Sequence, residues 1–174
     1  MTVAMYPGRF DPVTRGHVDI TARAATIFER VIIAVAESRS ALFSNEERCQ
    51  LATDAVAHLP NVEVSTFSGL TVEAAQQHGA HVLIRGLRAI TDFTVEFDMA
   101  LMNRKMAPDV ESVYLMTASE HMFISASRVR ELAGFGRDVS DLVPPNVAKA
   151  ITEKMAALTR TSSVPRQTRD QGTT

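Results

Sequence analysis

Apolar residues in this chain fall into short continuous runs separated by stretches of helical spacing. Val3 to Tyr6, Arg30 to Ala36 (Val31, Ile32, Ile33, Val35) and Ala80 to Ile84 carry almost no polar interruption. Strands buried on both faces, as in a parallel sheet, read this way. Asn61 to Phe67, alternating through Val62 and Val64, and Glu111 to Thr117 bring the predicted strands to five. Helices are predicted between them. Val18 to Phe28 is amphipathic. Ser44-Asn45-Glu46-Glu47 is a capping box opening a helix with apolar positions Leu51, Ala55 and Leu59, closed by Pro60. Thr71 to His78 ends at Gly79, Asp92 to Met106 stops before Pro108, Ser127 to Ala133 is short, and Asn146 to Leu158 follows Pro144-Pro145.

Strands alternating with helices imply an α/β, Rossmann-like doubly wound sheet of five parallel strands with helices on both faces. In such sheets ligands bind beyond the strand C-termini, where the strand order switches. Glycines and arginines collect at those ends: after strand one, after strand two (Arg39) and after strand four (Arg85, Arg88). From Thr159 onward only Val164 is strongly apolar, so a single domain over 1–158 and a flexible tail over 159–174 are expected.

Composition narrows the function. A 174-residue chain with net charge −2 has no electrostatic footprint for nucleic acid. No apolar run is long enough to span a bilayer and no leader pattern is present, so a cytoplasmic protein is expected. The lone Cys49 sits in a helical pattern, as a buried, inert thiol in a reducing compartment would. Gly-x-Gly-x-x-Gly, Gly-Lys-Ser/Thr and His-Glu-x-x-His are absent, which removes support for dinucleotide, P-loop and zincin chemistry.

Two stretches carry candidate chemistry. Tyr6-Pro7-Gly8-Arg9-Phe10-Asp11-Pro12-Val13-Thr14-Arg15-Gly16-His17 joins the first strand to a helix N-terminus, whose free N–H groups and dipole attract phosphate. Gly8 and Gly16 allow close approach of backbone to ligand. Phe123-Ile124-Ser125-Ala126-Ser127-Arg128-Val129-Arg130 offers hydroxyls at a second helix start and a cation one turn in. Alone, the first reads more readily as a plain βα turn and the second as an ordinary N-cap. For Arg85 and Arg88 the structural alternative is ion pairing with Asp92 or Glu96.

Thr14-x-Gly16-His17 followed at the far end by Ile124-Ser125-Ala126-Ser127 resembles the nucleotidylyltransferase superfamily, in which two such motifs clamp a nucleoside triphosphate. Val82-Leu83-Ile84-Arg85-Gly86-Leu87-Arg88, Asp92-Phe93 with Glu96, and Met102-Asn103-Arg104 extend the resemblance to bacterial phosphopantetheine adenylyltransferase, over about residues 3 to 158. That resemblance implies adenylyl transfer from ATP to 4′-phosphopantetheine with Mg²⁺, giving dephospho-coenzyme A and pyrophosphate, in a homohexamer. It implies catalysis by His17 with Arg85 and Arg88. It assigns ATP to Gly8, Arg9, Phe10, His17, Gly86, Leu87, Arg88, Glu96, His121, Ile124, Ser125, Ser127 and Arg130. The acceptor falls to Arg9, Arg39, Leu70, Thr71, Arg85 and Asn103, and no residue is assigned as a metal ligand.

The chain departs from the family pattern inside the site. Arg9 stands where Thr or Ser is usual, Arg39 is the best match to the loop lysine in a loop two residues shorter, Ala126 replaces a hydroxyl, and His121 replaces an aromatic. Arginine and lysine hold phosphate with different geometries. These differences leave open a sister enzyme acting on another phosphorylated or phosphonylated molecule, or one using CTP. A third possibility is a nucleotide-binding homologue without turnover. Met99, Met102 and Met106 at helical spacing fit either core filling or a subunit contact.

Overall fold

The structure, a computed structural model, describes residues 2–162. Its elements run β1 (Val3–Gly8), α1 (Arg15–Ile27), β2 (Arg30–Ala36), α2 (Asn45–Ala55), β3 (Val62–Phe67), α3 (Thr71–Gln77), β4 (Val82–Leu87), α4 (Ile90–Met106), β5 (Glu111–Met116), a 3-10 turn at Ser119–His121, α5 (Ala126–Gly134) and α6 (Pro145–Ser162). The five strands form one sheet in the order β3-β2-β1-β4-β5. Every neighbouring pair is parallel. The order reverses between β1 and β4, the switch point of a doubly wound sheet.

The strands are apolar because both faces are covered. On one side Ala4, Tyr6, Val31, Ile33, Val35 and Ile84 pack with Ile20 and Ala24 of α1, Ala52 of α2, Val129 of α5 and Val147 and Ile151 of α6. On the other, Val3, Met5, Ile32, Ala34 and Leu83 pack with Val72, Ala74 and Ala75 of α3 and with Ala107 and Val110. Among the described residues no helix is long and apolar enough to cross a membrane.

Several boundaries differ from the sequence pattern. Helix α1 starts at Arg15 because Thr14 caps it and His17 completes a capping box that the Ser/Thr-x-x-Glu/Gln rule does not name. Strand β4 extends through Leu87, since Arg85, Gly86 and Leu87 pair with Tyr114, Leu115 and Met116. The innermost residues of α2 are Arg48 and Ala52, with Leu51 and Ala55 only half-buried. Helix α6 continues to Ser162, four residues into the expected tail. The rest of that expected tail, 163–174, lies outside the described residues. Cys49 is half-buried rather than buried, and desolvation pushes its thiol pKa up.

Helix α4 is the exception to the packing. Only Asn103 along it is buried, while Phe93, Val95, Phe97, Met99, Leu101, Met102 and Met106 are exposed and Ile90 is 90% exposed.

Candidate active site

Backbone pairing creates the cleft. β1 and β4 pair only at Ala4↔Val82 and Met5↔Leu83, although the strands run on to Gly8 and Leu87. Beyond Met5 they part, and the Tyr6 side chain enters the wedge. A Cβ on Gly86 would stand 3.2 Å from the Tyr6 hydroxyl, so glycine leaves room for that side chain.

The loop after β1 folds back on itself. Phe10 has φ 47° and Asp11-Pro12 is cis. The left-handed conformation is unusual for an aromatic residue. It turns the buried Phe10 ring edge-on to His17, with centroids 5.0 Å apart, and to Tyr6 at 5.4 Å. A Cβ on Gly8 would meet that ring at 3.1 Å.

His17 is held as a neutral donor. Thr14 Oγ1 accepts from the His17 backbone N–H at 3.4 Å, and the Thr14 backbone N–H donates to His17 Nδ1 at 3.0 Å. With Nδ1 accepting, the proton of the neutral ring lies on Nε2. Burial, reinforced by the nearby Arg88 charge, lowers the His17 pKa to about 4.

Cations surround this donor, each already oriented by a partner. Arg85 makes a bidentate pair with Glu96 of α4, both bonds 2.5 Å. Arg88 pairs with Asp92 at 3.3 Å and reaches the Ile124 carbonyl at 3.4 Å. The ion-pairing alternative is therefore realised for both, with both still lining the cleft. Arg130 donates to the Asp11 carbonyl and sits 3.5 Å from its carboxylate. Asp11 is buried and also accepts from the Leu42 and Phe43 N–H groups at 2.9 and 3.1 Å, tying the first loop to the β2–α2 loop. Arg9 is half-exposed, 3.5 Å from Ser40 Oγ. Ser125 caps α5 through the Arg128 N–H, with Ser127 Oγ at 3.1 Å.

These groups enclose a cavity of about 350 Å³. Arg9, Phe10, His17, Arg85, Gly86, Arg88, Glu96, Ile124, Ser125, Ser127 and Arg130 all line it. Gly8 lies beneath the Phe10 ring, the Leu87 side chain is buried in the core, and the Cβ of His121 faces Gly16. The expected acceptor group divides. Arg39 lines a separate cavity with Ser38, Ser68 and Gly69, next to Leu70 and Thr71 at the start of α3, and Asn103 is buried on α4. Sequence reasoning passed over Asp11 as a hub, Thr14 as the group that sets the His17 tautomer, and Arg48 beneath the loop. For Thr14 the signal was its place three residues before His17; for Arg48 there was none.

A family model for cytidylyltransferase-like proteins matches residues 5–132. The chain is 50% identical over 156 residues to the phosphopantetheine adenylyltransferase of Heliobacterium modesticaldum, covering 88% of this chain and 93% of that one. It is 51% identical over 155 residues to that of Methylococcus capsulatus, covering 88% and 96%. A solved structure from Vibrio parahaemolyticus bearing the name nicotinate-nucleotide adenylyltransferase superposes with TM-score 0.65 at 19% identity, covering 87% of this chain and 99% of that one, a likeness of fold alone. Fold and family model together define a nucleotidyltransferase domain. Within that class the chain belongs to the phosphopantetheine adenylyltransferase family.

Proposed function

We propose that this protein transfers the adenylyl group of ATP to 4′-phosphopantetheine, forming dephospho-coenzyme A and pyrophosphate in the cytoplasm. The observation that carries this reading is the neutral His17, fixed as an Nε2–H donor in a cleft ringed by Arg9, Arg85, Arg88 and Arg130.

A phosphate oxygen of the acceptor attacks the α-phosphorus of ATP, and the bond to the bridging oxygen breaks as pyrophosphate leaves. The acceptor phosphate is ionised near neutral pH, so no protein base is needed. The protein's task is orientation and charge stabilisation. His17 donates to the α-phosphate as charge develops there. Staying neutral, it is a donor that brings no counter-charge to trap the ground state. Arg88 and Arg130 receive the pyrophosphate, while Arg85 and Arg9 receive the acceptor phosphate. An anion arriving at Arg85 meets a guanidinium already oriented by Glu96. Ser125 and Ser127, at the start of α5, supply hydroxyls to the nucleotide.

Transfer from ATP calls for a divalent cation, here Mg²⁺. Among the described residues no group of three or more His, Cys, Asp or Glu side chains could hold a metal ion. Mg²⁺ suits this setting, because it keeps its waters and binds through substrate phosphates.

Self-association is part of the same proposal. Helix α4 leaves a run of large apolar side chains in water, the kind of surface that marks an interaction site. A second copy of the chain covers it, with a hexamer as the expected state. Sedimentation of the wild type against Phe97→Glu tests this.

The functional test is pyrophosphate release with Mg²⁺, ATP or CTP, and 4′-phosphopantetheine. Turnover with ATP and phosphopantetheine is expected. Because Arg9 is an added cation in the cavity, silence with phosphopantetheine while ATP still raises the melting temperature would move the assignment to another phosphorylated acceptor. Turnover with CTP alone would change the nucleotide.

A further inference from the structure

Arg48 is fully buried on α2, at 0% exposure. The ion pairs of the described residues do not include it, and its Nε has no hydrogen-bond partner. A guanidinium held this way is costly, and burial lowers its pKa. Filling the space between α2 and the sheet would need only a leucine or methionine. What Arg48 adds is its contacts. Nη1 donates to the Arg9 carbonyl at 2.5 Å and to the Ala36 carbonyl at 2.8 Å, and Nη2 donates to Asn45 Oδ1. Three separate pieces of chain meet on one side chain: the loop after β1, the last residue of β2, and the first turn of α2.

The Arg9 carbonyl belongs to the peptide immediately before Phe10. Fixing that peptide fixes the backbone at the one non-glycine residue with positive φ among the described residues. We propose that Arg48 is a positioning residue for catalysis: by holding the Arg9 carbonyl it keeps Phe10 left-handed, which seats the Phe10 ring against His17 and aims the Arg9 side chain at the cleft. Without the clamp, Phe10 relaxes toward negative φ, its ring leaves His17, and water reaches the imidazole. The bond to Ala36 secures the root of the loop bearing Arg39. One buried cation thereby sets both sides of the acceptor approach while touching no substrate.

The inference rests on the adenylyl-transfer reading, and one of its three measurements, the His17 titration, is independent of it. Arg48→Met keeps the packing volume and removes the clamp; Arg48→Lys keeps the charge but has one nitrogen where the guanidinium uses two, one for the carbonyls and one for Asn45. Expected in Arg48→Met is a fall in kcat of about tenfold to a hundredfold, the scale of a small displacement at the reacting centre. The Kd for ATP, by calorimetry, stays within about threefold. By histidine NMR, the His17 pKa rises from about 4 toward its ordinary 6.5. Arg48→Lys falls between Arg48→Met and the wild type in kcat and in His17 pKa. A folded Arg48→Met with wild-type kcat and an unmoved His17 titration would overturn the proposal. So would a loss of activity accounted for by a lower melting temperature while His17 titrates as before. If Arg48→Met does not fold, Arg48→Lys carries the same comparison. If the wild type fails to turn over phosphopantetheine, the functional assignment falls while the His17 titration still decides the role of Arg48.

Discussion

The proposed nucleotide side and the proposed acceptor side of this site are built differently. On the nucleotide side, residues expected to act together line one cavity: Phe10, His17, Gly86, Arg88, Ser125, Ser127 and Arg130. Apart from Phe10 in the loop after β1, they sit at or beside strand ends and in the first turns of helices, and the sheet register fixes where those points lie. On the acceptor side, Arg9 and Arg85 line the same cavity, whereas Arg39 opens onto another beside Ser68 and Gly69. Arg39 hangs from a loop whose anchors are the Asp11 carboxylate at Leu42 and Phe43 and the Arg48 guanidinium at Ala36. The lesson is that most of the proposed nucleotide side hangs on regular elements, while on the proposed acceptor side Arg9 and Arg39 have a reach that depends on loop anchors.

The sharpest way to break this contrast is His17→Ala. Loss of one preorganised donor should lower kcat by about 10²–10³, or roughly 2.7–4 kcal/mol, with ATP binding by calorimetry nearly unchanged. A comparable loss of ATP affinity would mean that His17 serves the ground state, not transfer.

The pH dependence of stability comes next. The folded His17 pKa lies near 4 and the unfolded value near 6.5. Between them the unfolded chain binds the extra proton, so this residue makes stability fall as pH drops from 6.5 to 4 and contributes nothing above 6.5. The loss is on the order of 3 kcal/mol at about 1.4 kcal/mol per pKa unit. Denaturant melts across that range should show a flatter slope in His17→Gln. An equal slope would place the imidazole in water.

Arg9→Ala against Arg39→Ala sharpens the division on the acceptor side. A charge-assisted bond to phosphate is worth about 1.5–3 kcal/mol, so Arg9→Ala should raise the acceptor KM about tenfold or more. Arg39→Ala should raise it by less than about threefold. The reverse order would mean that the loop swings in to deliver Arg39 when the acceptor binds.

The smallest effect is expected at the second helix start. Ser125→Ala removes the N-cap of α5 and should lower stability by about 1 kcal/mol. A drop confined to ATP affinity, with no change in melting, would make its hydroxyl a ligand group first and a cap second.

Much of this was legible in the chain. Double-sided burial makes β1, β2 and β4 apolar, which gave their positions; the capping box at Ser44 marked the start of α2 within a residue, whereas its end falls at Ala55, short of the expected Leu59. Strand β4 misled at its end because Arg85 and Gly86 carry the composition of a loop, yet their main chains pair with β5 as any strand residue would. The largest omission was Arg48. Helical periodicity assigns an arginine to solvent, and only the presence of carbonyls from two distant segments makes its burial tolerable. A pattern read along one helix contains no record of what arrives from elsewhere. The sorting of Arg9 and Arg39 into different cavities was hidden for the same reason.

The hydrogen bond that selects the His17 tautomer comes from the Thr14 main chain. Its donor is therefore common to every amino acid except proline. Drift at position 14 can weaken the helix cap, since the hydroxyl is lost, but cannot delete the amide that keeps the imidazole facing the right way. The orientation of the imidazole is thus written into the main chain, and the side chain at position 14 is left to serve the helix.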